Sequence, residues 1–141
     1  MKKRYLIDTC IWRDFYENRF SKSGKPFGEY ASKMFLKILK NKGEILFSEA
    51  LIWELGKYFG DNEIGSMLDL FYFNGVLIKI EIKKHEAKEA KILSKKRNIP
   101  FVDCLLVIQA QNYNAILVTQ DKHILNQLKD IVKAIKPQEV N

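Results

Sequence analysis

Hydrophobic and polar residues alternate along the chain with two periods, one typical of strands and one typical of helices. Short runs rich in β-branched and aromatic residues predict strands at 5–7, 45–48, 76–82, 116–119 and 131–135. Apolar positions that recur every three or four residues predict helices at 28–41, 49–59, 63–73, 84–97, 103–112 and 122–129. The first and fourth runs are almost continuously apolar, which is typical of strands in a sheet that is covered on both faces.

Strands that alternate with helices in this way indicate an α/β fold. We predict a three-layer α/β/α sandwich whose central sheet has four to five mainly parallel strands. The 141 residues, of which 47% are hydrophobic, are enough for one domain with a sizeable core, so residues 1–141 are interpreted as a single domain. Ligands of such sheets bind beyond the carboxyl ends of the strands, and candidate site residues are expected there.

Four acidic residues fall at that edge of the predicted sheet. Asp8 follows the first strand, and Asp121 follows the fourth. Glu54 lies within the apolar arc of the helix after the second strand, and Asp103 faces inward on the helix that begins after Pro100. Taken singly, the three aspartates could each be a helix-capping acid, and Glu54 could form a buried ion pair or extend to solvent.

Together, the four acids point to a metal site. Several carboxylates in one crevice repel each other and cost stability unless they are protonated or bound to a cation. Oxygen ligands suit Mg²⁺ or Mn²⁺, whereas zinc would favour His and Cys. His85 and His123 match no zinc pattern and are predicted to be surface residues, and Cys10 and Cys104 are predicted to be buried, inert thiols. The predicted metal ligands are Asp8, Glu54, Asp103 and Asp121.

The charge balance favours a polyanionic partner such as nucleic acid. Lys and Arg number 24 against 17 Asp and Glu, which gives a net charge of +7. Most lysines are expected to cover solvated helix faces. The candidates for substrate binding are Arg13, Lys57 and Lys122, followed by the loop residues Lys22 and Lys25.

The sequence predicts no association with a membrane. Its apolar runs fall far short of the roughly 20 residues that a membrane span requires. The N-terminus does not match a signal peptide, and the two cysteines form no disulfide framework. A cytoplasmic protein is therefore expected.

Four stretches in order along the chain resemble the PIN domain, especially the VapC-type toxin nucleases. They are residues 5–9 (YLIDT), 48–55 (SEALIWEL), 100–106 (PFVDCLL) and 116–121 (ILVTQD). The resemblance implies a metal-dependent endoribonuclease, a hydrolase in which the cation activates water against an RNA phosphodiester bond. It also implies that Thr119 supports an acidic quartet formed by Asp8, Glu54, Asp103 and Asp121.

The same resemblance implies partners. It implies RNA as the substrate, an antitoxin protein held in a hydrophobic groove, and a homodimer. Most members of one aromatic set are nevertheless expected to pack in the core, and only some to form such a groove. The set is Trp12, Phe15, Tyr16, Phe20, Trp53, Tyr58, Phe59, Phe71, Tyr72 and Phe73.

The chain departs from the family pattern in two places. His123 stands where many members carry a further acid, and residues 18–30 form a longer loop to which we assign no role. Two alternative functions stay open: a non-catalytic PIN-like module that binds RNA or protein, and a PIN nuclease of RNA processing. A haloacid-dehalogenase-like phosphatase is disfavoured, because it needs an acid two positions after Asp8, where this chain has Cys10.

Overall fold

A parallel sheet of five strands forms the centre of the structure, a computed structural model that describes residues 2–141. Their spatial order is β3-β2-β1-β4-β5, and every neighbouring pair is parallel. This arrangement confirms the predicted α/β fold with a mainly parallel sheet. The strands are β1 (Arg4–Ile7), β2 (Glu44–Ser48), β3 (Leu77–Ile80), β4 (Ile116–Val118) and β5 (Ala134–Ile135).

Helices connect the strands. No helix within residues 2–141 combines the length and hydrophobicity needed to cross a bilayer. A short 3-10 turn at Pro137–Glu139 follows the last strand. The helices are α1 (Thr9–Glu17), α2 (Phe27–Lys40), α3 (Glu49–Leu55), α4 (Asp61–Phe73), α5 (Lys84–Arg97), α6 (Phe101–Asn112) and α7 (Lys122–Gln127).

Strand β1 lies in the middle of the sheet and is buried on both faces. Leu6 and Ile7 point to opposite faces, as successive strand residues do, and both have no exposed surface. Ile7 pairs with Val118 of β4, so the two strands end side by side. The residues that follow β1 and β4 are therefore brought to the same edge of the sheet, as the sequence predicted.

An aromatic cluster packs α1 against α2 and α4. The ring centroid of Trp12 lies 4.9 Å from that of Phe35 and 5.4 Å from that of Phe71. Offset and edge-on contacts at these distances stabilise a core beyond the burial of apolar area. This cluster anchors α1, whose first residue follows Asp8 directly.

Helix α1 is the main element that the sequence analysis missed. Its first turn contains Thr, Cys, Ile and Trp, which are weak helix formers, but tertiary packing of Ile11 and Trp12 overrides that weak propensity. The loop predicted at 18–30 is shorter than expected, because α2 begins at Phe27. The predicted helices 49–59 and 122–129 end earlier, at Leu55 and Gln127, and the last predicted strand contracts to two residues.

The prediction that most of the aromatic set packs in the core is wrong. Trp12 and Phe71 are fully buried, whereas six members are exposed by 43% or more. Helix positions on the solvent side, rather than hydrophobicity alone, decide their exposure. The six are Tyr16, Phe20, Trp53, Tyr58, Tyr72 and Phe73.

Candidate active site

The four predicted carboxylates all line one cavity of about 360 Å³ at the carboxyl ends of β1 and β4. The four acids therefore lie together at this edge of the sheet, as predicted from the sequence. The complete lining is Asp8, Thr9, Cys10, Arg13, Arg19, Glu54, Tyr58, Asp103, Gln120 and Asp121.

Asp8 is the most deeply buried of the four acids, with 7% of its surface exposed. It caps α1, because its Oδ1 accepts a hydrogen bond from the backbone N–H of Thr9 at 2.7 Å. Its Oδ2 accepts hydrogen bonds from the Thr119 hydroxyl at 2.7 Å and from the Cys10 thiol at 3.5 Å. Burial raises the pKa of Asp8, and these three donors act in the opposite direction.

Thr119 joins the ends of the two central strands. Its buried hydroxyl donates to Asp8 and accepts the backbone N–H of Asp121 at 2.9 Å. Asp121 in turn caps α7, because its Oδ1 accepts the backbone N–H of His123 at 2.8 Å. Asp8 and Asp121 thus cap helices and also line the shared cavity. A capping role and a place in the candidate site are therefore compatible for both acids.

Asp103 differs from the other aspartates because it has no capping role. It lies in the first turn of α6, whose N-cap is Pro100, and its carboxyl makes no hydrogen bond within residues 2–141. Burial, followed by the charges of Asp8, Asp121 and Glu54, raises its pKa to about 7. The carboxyl is therefore close to half-protonated at neutral pH without a cation.

Glu54 reaches the cavity from the last turn of α3. Its Oε2 forms an ion pair with Lys57 Nζ at 3.1 Å, and the Lys57 side chain is 67% exposed against 25% for Glu54. Such a pair at the surface contributes little stability. Glu49 on the same helix is exposed and accepts a hydrogen bond from the backbone N–H of Ile82 instead.

The donor chemistry of the cavity fits a hard divalent cation, but the side-chain geometry is open. No group of three or more His, Cys, Asp or Glu side chains in the described residues is placed to hold one ion together. The carboxylates therefore share a cavity without meeting at one point. Asp103 is the candidate ligand whose carboxyl has no hydrogen bond to other described residues to lose if it turns toward a cation.

The predicted basic residues divide into two groups. Arg13 lines the cavity, with its guanidinium carbon 3.5 Å from the Tyr58 ring centroid and its Nε bonded to Glu17 at 3.3 Å. Lys57 and Lys122 are exposed and do not line the cavity, and the same holds for Lys22 and Lys25 in the loop at 18–26.

Five lining residues were not predicted as site residues: Thr9, Cys10, Arg19, Tyr58 and Gln120. Burial, followed by the charge of Asp8, raises the pKa of the Cys10 thiol well above its usual range, which agrees with an inert thiol. Cys10 is half-buried, however, and not fully buried as predicted. Arg19 reaches the cavity from the residue after the C-cap of α1. A helix over 9–17, signalled by the spacing of Ile11, Trp12 and Phe15, would have indicated its direction.

Comparison with known proteins places this cavity in a family. The family model described as "PIN domain" matches residues 5–130, which is most of the chain. The chain belongs to the PIN domain family. No curated protein is matched by sequence. The four stretches that resembled PIN domains all lie inside the matched region, so that resemblance is confirmed.

Solved structures share the fold of this PIN domain at low sequence identity. VapBC2 from Rickettsia felis, bound to a DNA fragment from its promoter, is 19% identical, with a TM-score of 0.64 over 94% of this chain and 98% of that chain. A toxin-antitoxin complex from Klebsiella pneumoniae is 17% identical, with a TM-score of 0.61 over 94% and 97%. FitAcB from Neisseria gonorrhoeae is 15% identical, with a TM-score of 0.62 over 96% and 99%.

Proposed function

We propose that this PIN domain is an endoribonuclease that depends on Mg²⁺ or Mn²⁺. Membership in the PIN family supports a nuclease, and the excess of basic residues supports a nucleic-acid substrate. The observation that carries the proposal is that four carboxylates line one cavity, where burial and the other three charges raise the pKa of Asp103 to about 7. Such a costly arrangement is typical of active sites that bind a cation.

The proposed ligands are Asp8, Asp103 and Asp121, with Glu54 as a ligand or as the base that orients water. The cation would activate water and stabilise the charge of the phosphodiester as it is cleaved. Thr119 holds the Asp8 carboxylate through a 2.7 Å hydrogen bond and so fixes its orientation. Because Asp103 must lose its proton before it can act as a ligand, binding of the cation should release a proton near neutral pH.

We further propose that the protein is the toxin of a toxin-antitoxin pair. The Rickettsia felis structure is named VapBC2, and the Klebsiella pneumoniae structure is a toxin-antitoxin complex. The exposed aromatic side chains supply apolar surface that an antitoxin or a second copy of this chain could cover, so an antitoxin partner and a homodimer are both part of the proposal. Those side chains include Tyr16, Trp53, Tyr72 and Phe73.

The nuclease is tested by incubating the purified protein with labelled structured and single-stranded RNA in Mn²⁺, Mg²⁺ or EDTA. Asp8→Asn and Glu54→Gln should abolish or strongly reduce cleavage. Glu49→Gln is the matched control, because it makes the same change on the same helix outside the cavity. Cleavage that persists in EDTA or in Asp8→Asn would contradict the proposal.

A second candidate function is a non-catalytic PIN module that binds RNA or protein. The open geometry of the carboxylates favours this function, because within residues 2–141 no three of them are placed to hold one metal ion. The same experiment separates the two functions. RNA binding without cleavage in any metal, equal in wild type and Asp8→Asn, would identify the binding module.

A further inference from the structure

The loop at residues 18–26 is fastened to the end of α1 by close backbone packing. Asn18 adopts the left-handed conformation, with φ of 50°, and its backbone N–H closes α1 on the Asp14 carbonyl. The backbone N–H of Gly28 donates to the Arg19 carbonyl at 2.8 Å. A Cβ at Gly28 would stand 2.6 Å from the Asn18 Cα, so only glycine permits this approach. The loop therefore holds the backbone of Arg19 in place.

The side chain of Arg19 is oriented just as firmly. Its Nε donates to Asp14 Oδ1 at 2.9 Å, and its Nη2 donates to the Cys10 carbonyl at 3.3 Å. The Asp14 side chain is 4% exposed, whereas Arg19 keeps 30% exposed and lines the cavity of the four acids. Its Nη1 has no hydrogen-bond partner among residues 2–141. A pre-oriented guanidinium with free donors thus stands at the edge of the acidic cavity.

The other basic residues near the cavity are engaged differently. Arg13 is bonded to Glu17 through both Nε and Nη2 and is stacked on Tyr58. Lys57 is paired with Glu54. A polyanion that approaches four carboxylates needs a cation close to the reacting phosphate, and a guanidinium fork matches phosphate geometry better than an ammonium does.

We infer that Arg19, held by Asp14, binds a phosphate of the RNA beside the four carboxylates and positions the RNA strand for cleavage. The inference rests on the proposed function. Arg19 is then a substrate-binding residue, and the loop at residues 18–26 holds it in place. A purely structural Arg19 would instead only neutralise the buried Asp14.

The test measures RNA binding in an Asp8→Asn background with Mg²⁺, so that cleavage does not interfere. The probe is a fluorescein-labelled single-stranded RNA of mixed sequence, followed by anisotropy over a range of KCl concentrations. Asp14→Asn is compared with the double variant Asp14→Asn/Arg19→Gln, which leaves no buried charge unpaired. Arg4→Gln is the matched control, because Arg4 lies at the opposite, amino end of β1.

The double variant is expected to bind about tenfold more weakly, as for the loss of one charge-assisted contact. The slope of log K against log salt should fall by about 0.7, the value for one phosphate contact on a single strand. Arg4→Gln should change neither quantity. Asp14→Asn, whose amide oxygen can still accept the hydrogen bond from Arg19 Nε, is the reference against which the double variant is compared. Arg19→Lys keeps a cation opposite Asp14. It should show the salt slope of the background protein but a weaker RNA affinity. This variant also provides the test if the double variant fails to fold.

Two outcomes overturn the inference and are distinct. If the background protein binds RNA and the double variant keeps its affinity and salt slope, or Arg4→Gln weakens binding as much, then Arg19 has no special role while the proposed nuclease stands. If the folded background protein binds no RNA at any salt concentration, the proposed function itself fails and the inference falls with it.

Discussion

Replacement of Asp103 by Asn should stabilise the metal-free protein, because it removes a negative charge that three other acids oppose. The pKa of Asp103 is raised from 3.8 to about 7, so between these values the native state keeps a proton that the unfolded chain has lost. Stability therefore falls as pH rises from 3.8 to about 7, and the loss is constant above that range. The amide of Asn, which is neutral at every pH, escapes this loss.

The size of the effect follows from the change in pKa. A rise from 3.8 to about 7 corresponds to at most about 4 kcal/mol in the free energy of unfolding. Solvent that reaches a half-buried carboxyl reduces the expected effect to about 2 kcal/mol. For a chain of 141 residues, that gain should raise Tm by about 5–8 °C. Mn²⁺ should narrow or reverse the difference, because it binds the native wild type more tightly than the variant.

The assay is thermal unfolding followed by circular dichroism in EDTA, at about pH 5 and about pH 8, then at about pH 8 with Mn²⁺. Asp69→Asn, which removes an exposed acid of α4, is the control and should leave Tm nearly unchanged. The reasoning is refuted if Asp103→Asn is less stable than wild type at the higher pH in EDTA. It is equally refuted if the advantage of the variant does not grow from the lower pH to the higher.

Two further substitutions test the framework around the cavity. Thr119→Val keeps the shape of the side chain but removes the buried hydroxyl that bonds to the Asp8 carboxylate and the Asp121 N–H. It should lower the free energy of unfolding in urea by about 1–3 kcal/mol and abolish most RNA cleavage. Gly28→Ala should cost about 1–3 kcal/mol, because its Cβ meets the Asn18 backbone. Gly65→Ala, where a Cβ meets nothing within 4 Å, should instead stabilise α4 by about 0.5–1 kcal/mol in the same assay.

The sheet and the acidic residues were predictable because they depend on local patterns. Apolar runs marked β1 and β4, and the rule that ligands bind beyond parallel strand ends placed Asp8 and Asp121 together. Arg19 was not predictable in the same way. Its position depends on α1, whose weak helix formers concealed it, and on a contact between Asn18 and Gly28 across a loop. Residue types along a loop do not reveal which way the loop folds back.

The four carboxylates share one cavity but are not equivalent, and the difference decides where a cation would act most strongly. Asp8 receives three hydrogen bonds and Asp121 receives one, and each caps a helix, so a metal-free protein can hold these charges. Asp103 has no such donor within the described residues, and the repulsion of the whole group falls on it. Since a cation gains most where the charge is least compensated, loss of Asp103 should weaken metal binding more than loss of Asp121. Calorimetric titration of the Asp103→Asn and Asp121→Asn variants with Mn²⁺ tests this order of affinities. Equal Mn²⁺ affinities of the two variants would contradict it.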